Sequence, residues 1–99
     1  NKGAIPNLRD DAMVEVPAYV GRNGVEPISL RFDIPDFHKG LMEAQNASEK
    51  LLVDAYFEKS YNKALQAFTL NQTVPNANIA KDVLDEFILA NKGYWPELN

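Results

Sequence analysis

Few side chains in this sequence have types and spacing suited to chemistry. Asp10, Asp11 and Glu15 place three carboxylates close together, the raw material of an acid/base pair or of a hard-cation site, which needs several convergent oxygens. Adjacent residues on a turn rarely converge without partners elsewhere, so the Asp10-Asp11 pair reads as turn and cap chemistry and Glu15 as a residue facing water. His38 is the only imidazole. With Ile34 and Met42 one helical turn to either side, it has neither a co-ligand nor an orienting partner and reads as a surface residue of a first helical turn. Ser29, Ser48 and Ser60 lack a Gly-x-Ser-x-Gly elbow, and Gly21-Arg22-Asn23-Gly24 lacks the strand-glycine-helix context of a phosphate loop. Tyr94-Trp95 has ring faces that suit a sugar or a base, but docking a chain end is the commoner use of such a pair. The residues by themselves nominate no catalytic, no cofactor-binding and no metal-ligating position.

Composition narrows the function classes further. Fourteen acidic against ten basic residues give a net charge of -4, and the cations are scattered singly, which disfavours tracking a phosphate backbone. With no cysteine, a disulfide framework, a thiolate metal site and a cysteine nucleophile are all excluded from these residues. No apolar run approaches the roughly 20 residues that span a bilayer, and Asn1 to Pro6 lacks the apolar core of a signal peptide. The expectation is a protein without nucleic-acid or membrane partners, located in the cytoplasm. Ninety-nine residues with 45% apolar content make one domain, residues 1–99, near the size where a single core is only marginally sufficient.

The elements that must position these residues predict an α+β fold. Residues 1 to 11 are rich in Asn, Gly, Pro and Asp and read as a loop. Met13 to Val16 alternates with period two and predicts a short strand ending near Pro17. Tyr19-Val20 and Val25 flank an Asn-Gly pair suited to the positive φ of a tight turn, with the second arm running through Ile28 and Leu30. Together they predict a small antiparallel sheet over about residues 12–32, packed on three helices at about 36–59, 61–70 and 77–92. Phe37, Leu41, Ala44, Ser48, Leu52, Ala55 and Tyr56 fall on one face of the first helix, with Asp36 as its expected cap and Gly40 as an expected point of close backbone crossing. Ser60 and Asn76 are expected to cap the second and third helices. On the third, Ile79, Val83, Phe87 and Ala90 line one face, Leu84 and Ile88 widen it, and Gly93 suits a left-handed ending.

One block carries more than local structure. Asn1-Lys2-Gly3-Ala4-Ile5-Pro6-Asn7-Leu8 followed by Asp10-Asp11-Ala12-Met13-Val14-Glu15-Val16-Pro17 resembles the opening of the C-terminal domain of family 4 glycoside hydrolases. Lys39-Gly40-Leu41-Met42-Glu43 and Ala90-Asn91-Lys92-Gly93-Tyr94-Trp95-Pro96-Glu97-Leu98 look like the 6-phospho-α-glucosidase branch, which acts on maltose 6'-phosphate. Arg9 stands where many relatives have proline, and Ala18 where they have cysteine. The signature lies within a few residues of a start that lacks methionine, so the chain is expected to be a C-terminal piece of a larger enzyme whose N-terminal, NAD-binding Rossmann domain is not included.

The resemblance implies a redox elimination-addition in place of the two-carboxylate route. The sugar C3 hydroxyl is oxidised with NAD, a manganese ion stabilises the enediolate, a base takes the C2 proton, and the aglycone leaves before water adds. In the family the NAD loop, the Cys/His metal ligands and the tyrosine base all lie upstream. No role therefore carries over to His38, Tyr19, Tyr56, Tyr61 or Tyr94, and no NAD or Mn2+ is expected on this piece, which is expected to be inactive alone. Its expected partners are the missing N-terminal domain, a phosphorylated disaccharide in the parent, and further copies in a homo-oligomer. The Asn1 to Leu8 loop would be the part nearest the substrate cleft. A 6-phospho-β-glucosidase of the same family and a free-standing protein-interaction module are the alternatives, and an unpaired edge at Met13 to Val16 is expected to favour self-association.

Overall fold

The computed structural model describes all residues from Asn1 to Asn99 and divides into two compact units, Asn1–Glu43 and Ala44–Asn99. In chain order the elements are β1 (Ala18–Gly21), β2 (Gly24–Pro27), α1 (Asp36–Glu58), α2 (Tyr61–Leu70) and α3 (Ala77–Ala90). The α+β class holds. No helix is long and apolar enough to cross a membrane.

In the first unit, residues 1 to 12 form a sequence of turns that buries Ala4, Ile5, Leu8 and Ala12. The strand expected at Met13 to Val16 is absent. Its alternation is real, since Val14 and Val16 are half-buried while Met13 and Glu15 are exposed, but no neighbouring backbone offers it a ladder. Pairing starts only at Ala18, with Ala18 opposite Pro27, Tyr19 opposite Glu26, Val20 opposite Val25 and Gly21 opposite Gly24. The turn takes its positive φ at Gly24 alone, at +105°, and not at Asn23; glycine adopts that region without a Cβ penalty. The second arm stops at Pro27, where a missing amide donor ends the ladder, and one further bond from Ile28 N to the Pro17 carbonyl (2.8 Å) follows it. All eight strand residues are exposed.

The second unit is built on small residues. Ala55, Ala64 and Ala80 are fully buried and Ala67 nearly so, which lets helix surfaces approach closely around Leu84. Leu84 packs with Tyr61, Leu65, Phe68, Ile88 and Leu98. The buried line of α3 is Ala80-Leu84-Ile88, while Ile79, Val83 and Phe87 stay about 41–42% exposed, a shift from the face that periodicity marks. On α1 the expected face is buried at Ser48 and Ala55, whereas Phe37 at its start is exposed.

Helix ends follow local chemistry. Asp36 is the first helical residue rather than the cap: the preceding Pro35 carbonyl accepts from Lys39 N at 2.9 Å, and the Asp36 charge complements the positive end of the helix. α1 ends with Lys59 at φ +55° and Ser60 N donating to the Ala55 carbonyl at 3.0 Å, the pattern of a Schellman motif with lysine at the usual glycine position. Ser60 then caps α2 by accepting from Lys63 N, and Asn76 caps α3 by accepting from Ile79 N. Asn99 N donates to the Lys59 carbonyl and Tyr61 N to the Asn99 carbonyl, so the tail is pinned beside the α1–α2 junction.

Gly40 has no heavy atom within 4 Å of where a Cβ would lie, so it marks no close crossing. Gly40→Ala is therefore expected to raise the stability of the isolated chain by about 0.5–1 kcal/mol, the gain from removing glycine inside a helix. A denaturant midpoint at or below that of the parent chain would refute this.

Candidate functional site

A concavity of about 630 Å3 lies in the first unit, and Asn1, Lys2, Asp10, Asp11, Val14 and Ser29 are among the residues that line it. One side chain organises its wall. The Asn1 Nδ2 donates to the carbonyls of Ile5 (3.0 Å), Leu8 (3.0 Å) and Arg9 (3.2 Å), and its Oδ1 accepts from Ile5 N at 2.7 Å. The main chain adds Asn1 N to the Ala12 carbonyl and Lys2 N to the Asp10 carbonyl. Lys2 and Gly3 both take positive φ, 47° and 84°, to let the chain turn back on itself. A lysine there carries strain of about 1–2 kcal/mol, which the surrounding bonds must offset.

A second amide fixes the loop to the segment before α1. Asn7 Nδ2 donates to the Ile34 carbonyl and Asn7 Oδ1 accepts from Ile34 N, both at 3.0 Å, and Leu30 N reaches the Ala4 carbonyl at 2.7 Å. Asn7 thus imitates a peptide group and makes a ladder pair across 27 residues of sequence. The sequence reading assigns Asn1 and Asn7 to a loop without giving them work. Their only signal was residue type, because a buried turn needs side chains that satisfy backbone donors and acceptors.

The residues singled out from the sequence are placed apart. Asp11 pairs with Arg9, whose Nε and Nη2 both face the carboxylate, the latter at 2.7 Å. Asp10 offers its carbonyl to the loop, and Glu15 is exposed. His38 is an exposed residue of the first turn of α1, edge-on to Phe37. Ser48 is buried and donates to the Ala67 carbonyl at 2.7 Å, Ser60 is a cap, and Ser29 lines the cavity. Tyr19 and Tyr94 are exposed. Trp95 separates from Tyr94, stacking edge-to-face on Tyr56 (5.6 Å) and Phe87 (6.1 Å), so only one of the two rings plugs the core. No three His, Cys, Asp or Glu side chains come together in a group that would hold a metal ion.

Tyr61 has the geometry most easily mistaken for catalysis. Its hydroxyl donates to Asp85 Oδ1 at 2.7 Å, and Lys81 Nζ reaches Asp85 Oδ2 at 2.5 Å. The hydrogen bond to Asp85 pushes the Tyr61 phenol up, with burial and the Asp85 charge adding to it. That is the wrong direction for a general base, which must release its proton near neutrality. The hydrogen bonds from Lys81 and then Tyr61 hold the Asp85 carboxyl below its ordinary value. The cluster is a strap between α2 and α3. A lowered carboxylate stabilises the fold above its unfolded pKa and loses that contribution as pH falls. The stability advantage of the parent chain over Asp85→Asn is therefore expected to be constant from neutrality down to about pH 4 and to vanish below it. Denaturation series across this range would show the idea wrong if the gap persisted at the acid end.

These arrangements give a hydrogen-bonded loop in the first unit and a helical core in the second, and no group of side chains that would hold a metal ion. Comparison with known proteins supplies the context. A family model described as the family 4 glycosyl hydrolase C-terminal domain matches residues 1–74. A phospho-alpha-glucosidase of Clostridium acetobutylicum is 60% identical over 99 residues, all of this chain and 22% of its own length. Among solved structures, a 6-phospho-alpha-glucosidase from gut microorganisms in complex with NAD and glucose-6-phosphate is 58% identical, with a TM-score of 0.91 over 100% of this chain and 22% of that one. A 6-phospho-beta glucosidase from Thermotoga maritima, also with NAD and glucose-6-phosphate, is 33% identical with a TM-score of 0.82, over 100% of this chain and 23% of that one. The chain thus spans less than a quarter of the length of these relatives. With the loop signature, the hairpin and the three helices all accounted for, the chain belongs to family 4 of the glycosyl hydrolases, as the C-terminal domain of that family.

Proposed function

We propose that this chain serves as the C-terminal part of an NAD- and manganese-dependent 6-phospho-α-glucosidase that cleaves phosphorylated disaccharides by redox elimination-addition, its NAD-binding domain lying elsewhere in the whole protein. The observation that carries the reading is identity of 60% and 58% to two alpha-glucosidases along the full chain, against 33% to a beta-glucosidase. The donor set for a divalent ion is not assembled by these residues, and no glycine-rich turn joins a strand to a helix. The work of this chain is accordingly to bind and orient. The amide-pinned loop of residues 1 to 12 forms one wall of a concavity. NAD and the metal ion, held by the rest of the protein, would supply hydride exchange and oxygen polarisation. A cytoplasmic location and assembly into a homo-oligomer belong to the same reading. So does contact with an N-terminal domain, which would cover apolar side chains such as Val53 and Phe57 that are 56% and 77% exposed here.

The test compares the isolated chain with the whole protein on α- and β-linked aryl 6-phosphoglucosides, with NAD and manganese added. Expected is turnover of the α-linked substrate by the whole protein and none by the isolated chain. Hydrolysis by the 99-residue chain would overturn the assignment of catalytic groups to the remainder, and preference for the β-linked substrate would overturn the subgroup.

A further inference from the structure

The hairpin turn carries a reactive pair that the proposed activity does not use. We infer that Asn23 is a site of spontaneous succinimide formation, at which this chain converts an amide into aspartate and isoaspartate and loses its hairpin register. Asn23 and Gly24 are both exposed, Gly24 carries no Cβ, and nothing lies within 4 Å of where one would stand, so no side chain shields the bond between the two residues. The Asn23 side-chain amide makes no hydrogen bond. The other asparagines are restrained. Asn1, Asn7, Asn71, Asn76 and Asn91 use their side chains in hydrogen bonds; Asn46 sits inside α1, where the following nitrogen belongs to the i to i−4 ladder; the nitrogens after Asn62 and Asn78 are held by the Ser60 and Asn76 caps; and in the 99-residue chain Asn99 has no following nitrogen. No other asparagine in the sequence precedes glycine.

The chemistry closes without any group beyond water. The Gly24 nitrogen gives its proton to solvent base and bonds to Asn23 Cγ; the Cγ–Nδ2 bond breaks and ammonia departs, leaving a five-membered imide. Water then opens the ring. Breaking the bond between nitrogen and Cγ yields aspartate with the original main chain. Breaking the bond between nitrogen and the main-chain carbonyl carbon yields isoaspartate, whose chain runs through Cβ and Cγ. Either product makes the chain one unit more negative than -4. Only isoaspartate inserts an extra backbone atom between residues 23 and 24, and the two-residue turn that sets Gly21 opposite Gly24 cannot hold it. Since both strands are exposed along their length, no packing restores the register.

The folded 99-residue chain, incubated in mildly alkaline buffer, is mapped by peptide mass spectrometry and by labelling with an isoaspartate-specific carboxyl methyltransferase. The expected result is a label and an amide-to-acid mass shift on the Asn23 peptide ahead of every other asparagine, lost in Asn23→Gln, whose longer amide closes a less favourable ring. In denaturant the Asn23 lead over the helical asparagines shrinks. Modification that begins at another asparagine in the folded chain, or an unmodified Asn23 when unfolded controls react, overturns the assignment. For the conformational consequence, the Val20–Val25 cross-strand contact is read by NMR in the purified isoaspartyl form; its survival would overturn that half of the inference.

Discussion

Replacing Leu84 by alanine is expected to lower the stability of the isolated chain by about 2–5 kcal/mol, the range for deleting a fully buried leucine side chain. Leu84, 2% exposed, is the largest of the fully buried side chains, and it sits among Ala55, Ala64, Tyr61, Leu65, Phe68, Ile88 and Leu98. Two of these neighbours, Ala55 and Ala64, are alanines too short to reach in and fill the space. A domain of this size has a total stability of about 5–15 kcal/mol, and the loss is a large share of it. Ile79→Ala on the same helix is the control, because Ile79 is 41% exposed and its removal opens no cavity. Urea denaturation of both variants decides the matter: equal shifts for Leu84→Ala and Ile79→Ala would mean that the second unit has no core centred where the structure puts it.

The second large effect is expected from Asn7→Ala, which should cost about 1–3 kcal/mol, because it leaves the partly buried amide and carbonyl of Ile34 without partners. Asn7→Asp is expected to do no better. A carboxylate can accept from Ile34 N but cannot donate to the Ile34 carbonyl, and it faces that oxygen with like charge. Hydrogen exchange gives a local reading that global unfolding does not mimic. Protection of the Ile34 amide should fall in both variants while amides in the middle of α2 and α3 keep theirs. Unchanged protection at Ile34 would show that the loop is held by other bonds. If the loop is a wall of the substrate cleft, the same substitution in the whole protein should raise KM for the phosphorylated substrate more than it lowers kcat.

Much of the local structure was legible from residue types. Ser60 and Asn76 cap the helices that their positions suggest, since a side-chain oxygen two or three residues ahead of free amides satisfies them wherever the helix lies. The hairpin turn is placed correctly because Asn-Gly suits a tight reversal, though glycine alone takes the positive φ. The strand at Met13 to Val16 was not legible, because period-two burial is necessary for a strand but a ladder also needs a partner that only the fold provides. The face of α3 shifted by one residue, from Ile79-Val83-Phe87 to Ala80-Leu84-Ile88, since apolar stripes wider than one line do not say which line is innermost.

For the candidate site the division is sharper. The sequence by itself determined the family, through a loop signature and a tail that match along the chain, and it determined that cysteine chemistry is excluded, because residue identity settles such questions. Only the tertiary structure decided what the chemically able side chains do. Asp11 is bound to Arg9, Ser48 to the Ala67 carbonyl and Tyr61 to Asp85, while Asn1 and Asn7 hold the loop that walls the cavity. The reason is that a hydrogen bond depends on distance and direction between groups that may be 24 or 27 residues apart, and those are set by how the chain packs, not by what its residues are.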